Sequence, residues 1–405
     1  MSIAMPIRLG PAEEALIAQL EGAGAKDAAE ALRATGLPNR KLEAYHYTDL
    51  KTMLRDVPTA NVADGAVTAP KLRIPGAYRV LMANGTASHE STPPNGIIIS
   101  DESGNALSAR DDVLVSMNRG LATSHLKVRL EGSVDPAVHL DYRLSGDARH
   151  VATSVLIEVA DGATATVVQS FSGSDAAHLG NHGTRIALGK DARLLHIIID
   201  EMEMAARHFH TMEYAIDEKV ALTTLGINLG AGLSRTSIFG SFDGGGAHAD
   251  FSGMNLLDAG QHCDIKLDLT HAVPDTTSTE LYKAVVRGDG TSAFQGRIVV
   301  AQDAQKTDAR MMSQGLMLSD EAQIFTKPEL EIYADDVQCG HGATVGDLDE
   351  NSLFYLMSRG IPKDEAAAIL TRAFVQELLD RIEDAELNEA LTGMVDEWLV
   401  RGDAD

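Results

Sequence analysis

Cysteine is nearly missing: the 405 residues hold two, Cys263 and Cys339. A chain this long with so few thiols is not a disulfide scaffold, which fits a reducing cytoplasm. Aromatic residues are also scarce, at 4% with a single tryptophan, too few to promise a cleft that stacks sugars. Basic residues are outweighed, 34 Lys and Arg against 59 Asp and Glu, for a net charge of −25. That argues against a nucleic-acid partner, which requires a basic footprint, and against attraction to an anionic membrane. No run approaches the ~20 apolar residues that a membrane span needs. The opening MSIAMPIRLGPAEEAL has neither the basic start nor the long apolar region of a signal peptide. No G-x-x-x-x-G-K-[ST] cradle and no G-x-S-x-G elbow occurs. A soluble, cytoplasmic protein of more than one domain is therefore expected, and it is not itself an ATPase.

What is present changes period along the chain. PAEEALIAQLEG reads as a helix with Pro11 in its first turn, Glu13 and Glu14 near its positive end, and an apolar face of Leu16, Ile17 and Leu20. A second helix starts at Asp27 and stops before Gly36 and Pro38. The Tyr45, His46, Tyr47 cluster reads as a docking or core feature. From about residue 79, short runs such as GIIIS, VLIEVA and LLHIIID, rich in β-branched residues and bounded by Gly, Asp or Asn, read as strands. No helix-length amphipathic pattern is expected among them for roughly 250 residues.

EVADGATATVV, ALGKDARLLHII and AIDEKVALTTL each set a turn before a small residue and then a strand. Ala163, Ala192 and Val220 hold the matching place at an interval of about 28 residues. Repeats of that size signal stacked coils, each burying its apolar edge against the next. The fold expected is mainly β: a right-handed parallel β-helix over residues 76–347, flanked by helical domains at 1–75 and 348–405. The Gly-rich FDGGGAHAD is expected to be a tight turn between coils. After Gly346, Asp349 caps a helix closed by Gly360, Pro362 restarts one, and a last helix carries Leu387, Leu391, Met394, Val395, Trp398 and Leu399. These helices are expected to cover the open end of the coil.

Ala322–Thr326, Glu329–Tyr333 and Val337–Thr344 read as three extended pieces, and the last holds Cys339 and His341. Residues two apart in a strand face the same way, so a thiol and an imidazole lie side by side, suited to borderline metals and sulfur chemistry. Two ligands do not close a metal site. Spacing alone fits equally a buried thiol beside a hydrogen-bonded turn histidine. His208 and His210 share a face in HFH, His262 and Cys263 point to opposite faces, and His271 completes the set; all five read as packing or surface positions. No role for Lys283 follows from the pattern. Asp335 and Asp336 read as turn residues.

Pro274–Gly360 resembles the SufB/SufD family of iron–sulfur cluster assembly proteins. The phrases that carry it are PDTTSTELYKAVV, FQGRIVVAQDAQKTDA, LMLSDEAQIFTKPELEIYADDVQCGHGATVG and LFYLMSRGI, spread over more than a fifth of the chain. RKLEAYHYTDL resembles the family's N-terminal signature, and the N-terminal cysteine cluster frequent in SufB is missing, which points to the SufD side. The resemblance implies the same β-helix and a non-catalytic scaffold that pairs with a SufB-like chain and a SufC-like ABC ATPase. CGHGATVG matches the family's C-x-H-G-A-T motif, so His341 would face a SufB cysteine and help hold a nascent cluster, with Cys339 a second candidate. No cofactor is expected to stay bound to the chain alone; iron or a cluster would pass through the shared interface. Val337, Gly342, Thr344, Leu353, Phe354, Tyr355, Arg359 and Phe374 are the expected partner-binding residues, with those that touch the ATPase left open. The exposed sheet edge gives the isolated chain a route to a homodimer, and the sequence leaves open whether it takes it. The rival reading is a β-helix enzyme acting on carbohydrate through carboxylates such as Asp335 and Asp336. The expected lack of an export signal and the few aromatics weigh against it.

Overall fold

The computed structural model describes residues 8–60, 74–89 and 91–401. From Ser124 onward the chain winds as a two-sheet solenoid. Successive strands alternate between the sheets, and from His150–Val159 to Asp308–Met317 each pairs in parallel with the strand two places earlier and two places later. Thr277–Val286, for example, lies between His248–Leu257 and Asp308–Met317. One parallel ladder begins at Ser124–Leu130 and runs through eight strands; the other begins at Tyr78–Ala83, which pairs in parallel with Val138–Leu144, and runs through nine. Alternation along each strand turns one set of side chains into the lumen between the sheets. Val155, Ile157, Val167, Ile186, Leu222, Ile238, Leu267 and Ile298 are among those that form its continuous apolar core.

The repeat seen in the sequence is the turn that closes each coil. Ala163, Ala192 and Val220 are buried, and Ala247, Thr276 and Thr307 continue their column. Immediately before them stand Gly162, Asp191, Lys219, Gly246, Asp275 and Lys306, all with φ between 55° and 73°. Their backbone N–H groups donate to the carbonyl of the next coil, as in Lys219 to Gly245 (3.0 Å) and Asp275 to Gln305 (3.0 Å). In FDGGGAHAD a Cβ on Gly244 would meet the Glu218 backbone nitrogen at 2.1 Å, so that run is a turn pressed against its neighbour.

Both outer sheet faces are covered by helices. Pro11–Gly22, Lys26–Thr35 and the unexpected helix Val113–Leu121 pack on Ala152, Leu179, Phe209 and Leu233 of one sheet. The sequence hid Val113–Leu121 because it is short and opens with the strand-like VLV; Asp112 starts it by accepting from the N–H groups of Leu114 and Val115. Lys363–Leu379 and Ala385–Arg401 pack on Ile197, Ile227, Leu256 and Val285 of the other sheet. Trp398 is fully buried there, with the Arg287 guanidinium 3.8 Å from its ring centroid. Arg287 also donates to the carbonyls of Trp398 and Leu399, a cation at the negative end of the helix.

The C-terminal helices therefore flank the solenoid and leave its end open, against expectation. The outer face of that sheet offers them a continuous apolar stripe that runs from Val168 to Leu316. The last two strands are Gln323–Ile332 and Gln338–Gly346, each paired on one side only. The first was expected as two pieces broken at Pro328, yet it is continuous. Proline lacks a ladder N–H and is tolerated on an edge strand, where that position faces outward.

Candidate functional site at the open end of the solenoid

Gln338–Gly346 takes its register from Asp308–Met317, which sets Cys339 beside Ala309 and His341 beside Met311. Ala309 and Met311 belong to the lumen core, so the thiol and the imidazole both face inward. Cys339 is half-buried against that core, whereas His341 is exposed because no further coil covers it. Ile324 and Leu330 of the other terminal strand pack on the same core. Below His341 the same column continues through Met311 to Glu280.

Burial raises the Cys339 thiol above its ordinary pKa, helped by the charges of Asp308 and Glu280 and opposed by the Ala309 backbone. The isolated chain thus holds a neutral thiol. Burial pushes the Glu280 carboxyl up to about 8, with Ser278 pulling weakly the other way. Among the described residues, no group of three or more His, Cys, Asp or Glu is placed to hold a metal ion. Cys339 and His341 supply one soft and one borderline donor, half of a four-coordinate shell.

The outer face of the same strand presents Gly340 and Gly342. They border a groove of about 620 Å³ with Arg310, Met312, Glu377 and Arg381. Thr344 is exposed, while Val337 packs on the lumen core. Leu353, Phe354 and Tyr355 ride on the helix Glu350–Ser358, none of whose residues is buried, and Phe354 is 72% exposed. Arg359 lies over the Tyr355 ring at 5.1 Å and donates to its hydroxyl at 3.0 Å. Phe374 instead turns toward the sheet, half-buried, with the Lys283 ammonium 4.8 Å from its ring centroid. Lys283, for which the sequence supplied no role, is a tie between helix and sheet. Its Nζ donates to the Phe374 carbonyl and the Glu377 carboxylate, both at 2.6 Å.

The remaining histidines are engaged elsewhere. His208 and His210 lie buried among lumen-facing groups, bonded to Asp200 (2.6 Å) and Thr184 (3.0 Å). His271 stacks on Phe242 in the lumen at 4.2 Å. His262 faces out to Thr48 at 3.0 Å while Cys263 faces in toward Asn255, the opposed orientation expected of neighbours in a strand. Asp336 pairs with Lys306, and its N–H donates to Gln305 at 2.9 Å. Asp335 and Asp336 both lie exposed in the bend before the last strand, turn residues as the sequence suggests.

The sequence reading missed a buried junction between the N-terminal segment and the sheet. Arg235 and Asp264 are fully buried, adjacent in register and ion-paired. Arg235 also donates to the Ala44 carbonyl (2.6 Å) and lies 4.1 Å from the Tyr45 ring centroid. Thr48 donates to Asp264, and the Tyr45 hydroxyl to Asp112 at 3.0 Å. Farther along, Tyr47 stacks on Phe325 at 5.0 Å and Glu43 pairs with Lys327, so this segment reaches the terminal strand itself. The separation of 235 and 264, close to the coil interval, was the signal available.

Comparison with known proteins agrees with this architecture. Residues 142–374 match the family model described as SUF system FeS cluster assembly, SufBD core domain. The chain is 29% identical to the iron–sulfur cluster assembly protein SufD of Escherichia coli, over 91% of this chain and 90% of that protein. It is 26% identical to an iron–sulfur cluster assembly SufBD family protein of Synechocystis, over 90% and 88% of the two chains. With a Mycobacterium bovis protein of the same family it shares 31% identity over 69% of this chain and 64% of that one. A parallel β-solenoid whose matched region spans more than half of the sequence thus belongs to the SufBD family of iron–sulfur cluster assembly proteins.

Proposed function

We propose that this chain is a SufD-like scaffold subunit that does no chemistry alone. The reading rests above all on one observation: Cys339 and His341 face the lumen at a solenoid end that, among the described residues, no coil or helix closes. A SufB-like scaffold closes it by adding its own strand edge near Val337–Thr344. Its cysteine then completes a shell in which a nascent cluster or iron is held as cargo. Neutral imidazole is a competent iron donor, and the cation itself drives the Cys339 proton off as it binds. Without a partner the chain keeps no cluster, and a second copy can occupy the same edge.

The exposed helix Glu350–Ser358 and the helices after it dock a SufC-like ABC ATPase. Lys283 links that region to the strand Thr277–Val286, which lies next to the strand pairing with Cys339 and His341. Movement of the helices on ATP binding then reaches the junction, provided the ATPase dimer favours the altered geometry over the resting one. A reducing cytoplasm suits a thiol in this role. The test is co-expression with SufB-like and SufC-like chains. The three should co-purify, and His341→Ala should keep the complex while cluster build-up in cells is lost. Normal maturation of iron–sulfur enzymes by that variant refutes the role of His341, and failure of the chains to co-purify refutes the scaffold reading.

A further inference from the structure

A second surface lies far along the solenoid from the open end. The helix Ala385–Arg401 and the coil loops Glu201–Met204 and Asp258–Gln261 enclose a groove of about 1170 Å³. Its apolar lining is Met202, Met204, Leu229, Met394 and Val400. Met204 is 46% exposed and Val400 69%, side chains that a monomer gains nothing by leaving in water. Around them stand six carboxylates, Glu201, Glu203, Asp258, Glu389, Asp396 and Glu397, against one guanidinium, Arg401. Asp258 is tied to Arg287 and Asp396 to Arg372, Glu201 and Glu203 are engaged as well, and Glu389 and Glu397 stand exposed on the helix.

We propose that this groove docks a basic amphipathic helix of a partner protein. Methionine is unbranched and polarizable, so a methionine floor adapts to varied apolar side chains. A carboxylate rim steers and orients lysines and arginines on the opposite face of such a helix. Two other occupants fit less well. A metal ion needs converging carboxylates, and among the described residues no such group of three occurs. A second copy of this chain, with its own net charge of −25, matches this carboxylate rim less well than a basic helix does. None of these residues lies at the open end, so the inference does not rest on the cluster junction; the groove shares the helix Ala385–Arg401 with the region proposed above to dock the ATPase.

The probe is a fluorescent leucine–lysine helix of about 18 residues, about 27 Å long, with leucines on one face and lysines on the other. Binding to the full chain is followed by anisotropy. It should reach the micromolar range at low salt and weaken by about tenfold or more near 0.5 M salt. Glu389→Gln with Glu397→Gln should weaken it about fivefold and reduce the salt dependence. Met204→Ser with Val400→Ser should weaken it similarly while leaving the salt dependence unchanged, since only apolar contact is removed. Both pairs contain exposed groups, and unchanged circular dichroism confirms folding. If a scrambled peptide of the same composition binds as tightly, or if neither variant pair differs from wild type, the attraction is that of an acidic protein for any polycation and the groove is not a docking site.

Discussion

Arg235 and Asp264 offer the most quantitative handle on how the N-terminal helices stay on the solenoid. Both side chains are out of water, and the carboxylate also accepts from Thr48. Asp264→Ala leaves a buried guanidinium with the Ala44 carbonyl and the Tyr45 ring as its remaining partners. Removing one partner of a buried ion pair typically costs about 3–5 kcal/mol, a factor of roughly 10² to 10³ or more in an equilibrium constant. Replacing both partners by apolar residues of similar volume is often neutral or better, so Arg235→Met with Asp264→Leu should recover most of the loss. A chain of this size need not unfold in one step, so the effect is best read locally. Native-state hydrogen exchange of Leu50–Met53 and of Pro11–Gly22 should accelerate in Asp264→Ala and return toward wild type in the double variant. The argument fails if Asp264→Ala exchanges as wild type does, or if the double variant is as loose as the single one.

Two further outcomes follow from groups near the open end. Glu280 keeps its proton in the folded chain up to about pH 8, whereas an unfolded glutamate loses it near 4.5. The folded state therefore binds the extra proton, and its stability falls as pH rises through that window, by up to about 1.4 kcal/mol per unit. Buried His139, His150 and His271, held near 4, have the opposite slope, but only below the ordinary histidine range near 6.5. Urea midpoints compared between pH 6.5 and 8 should fall in wild type and stay flatter in Glu280→Gln; equal slopes refute the assignment. Iodoacetamide followed by intact mass should show one adduct on the native chain, at Cys339, and two in urea, because Cys263 is fully buried with its thiol pKa raised by that burial. Native labelling of Cys263 contradicts the lumen placement.

Local patterns carried much of the fold. The column of Ala163, Ala192 and Val220 was visible because six successive coils set a small or β-branched residue after a left-handed turn. The shared face of Cys339 and His341 followed from strand alternation alone. What stayed hidden depends on distant parts of the chain. Nothing near Pro328 says that its strand is the last of a sheet, yet that position is why the proline is tolerated. The amphipathic faces of the C-terminal helices were legible, but the surface that takes them is assembled from strands up to about 200 residues away (Ile197 against Trp398, for instance). Arg235–Asp264 and Asp268–Arg297 repeat near the coil interval, so a register drawn from the repeat would have exposed both ion pairs.

The central claim is that the edge of Gln338–Gly346 is where a second scaffold completes the thiol–imidazole pair. Hydrogen exchange of this strand, measured on the chain alone and bound to a SufB-like partner, tests it most directly. Amides open to solvent at that edge should slow by about 10–100-fold on pairing, while mid-solenoid strands such as Leu233–Phe242 stay unchanged. Protection that appears elsewhere, with Gln338–Gly346 exchanging as freely in the complex as alone, would contradict the account.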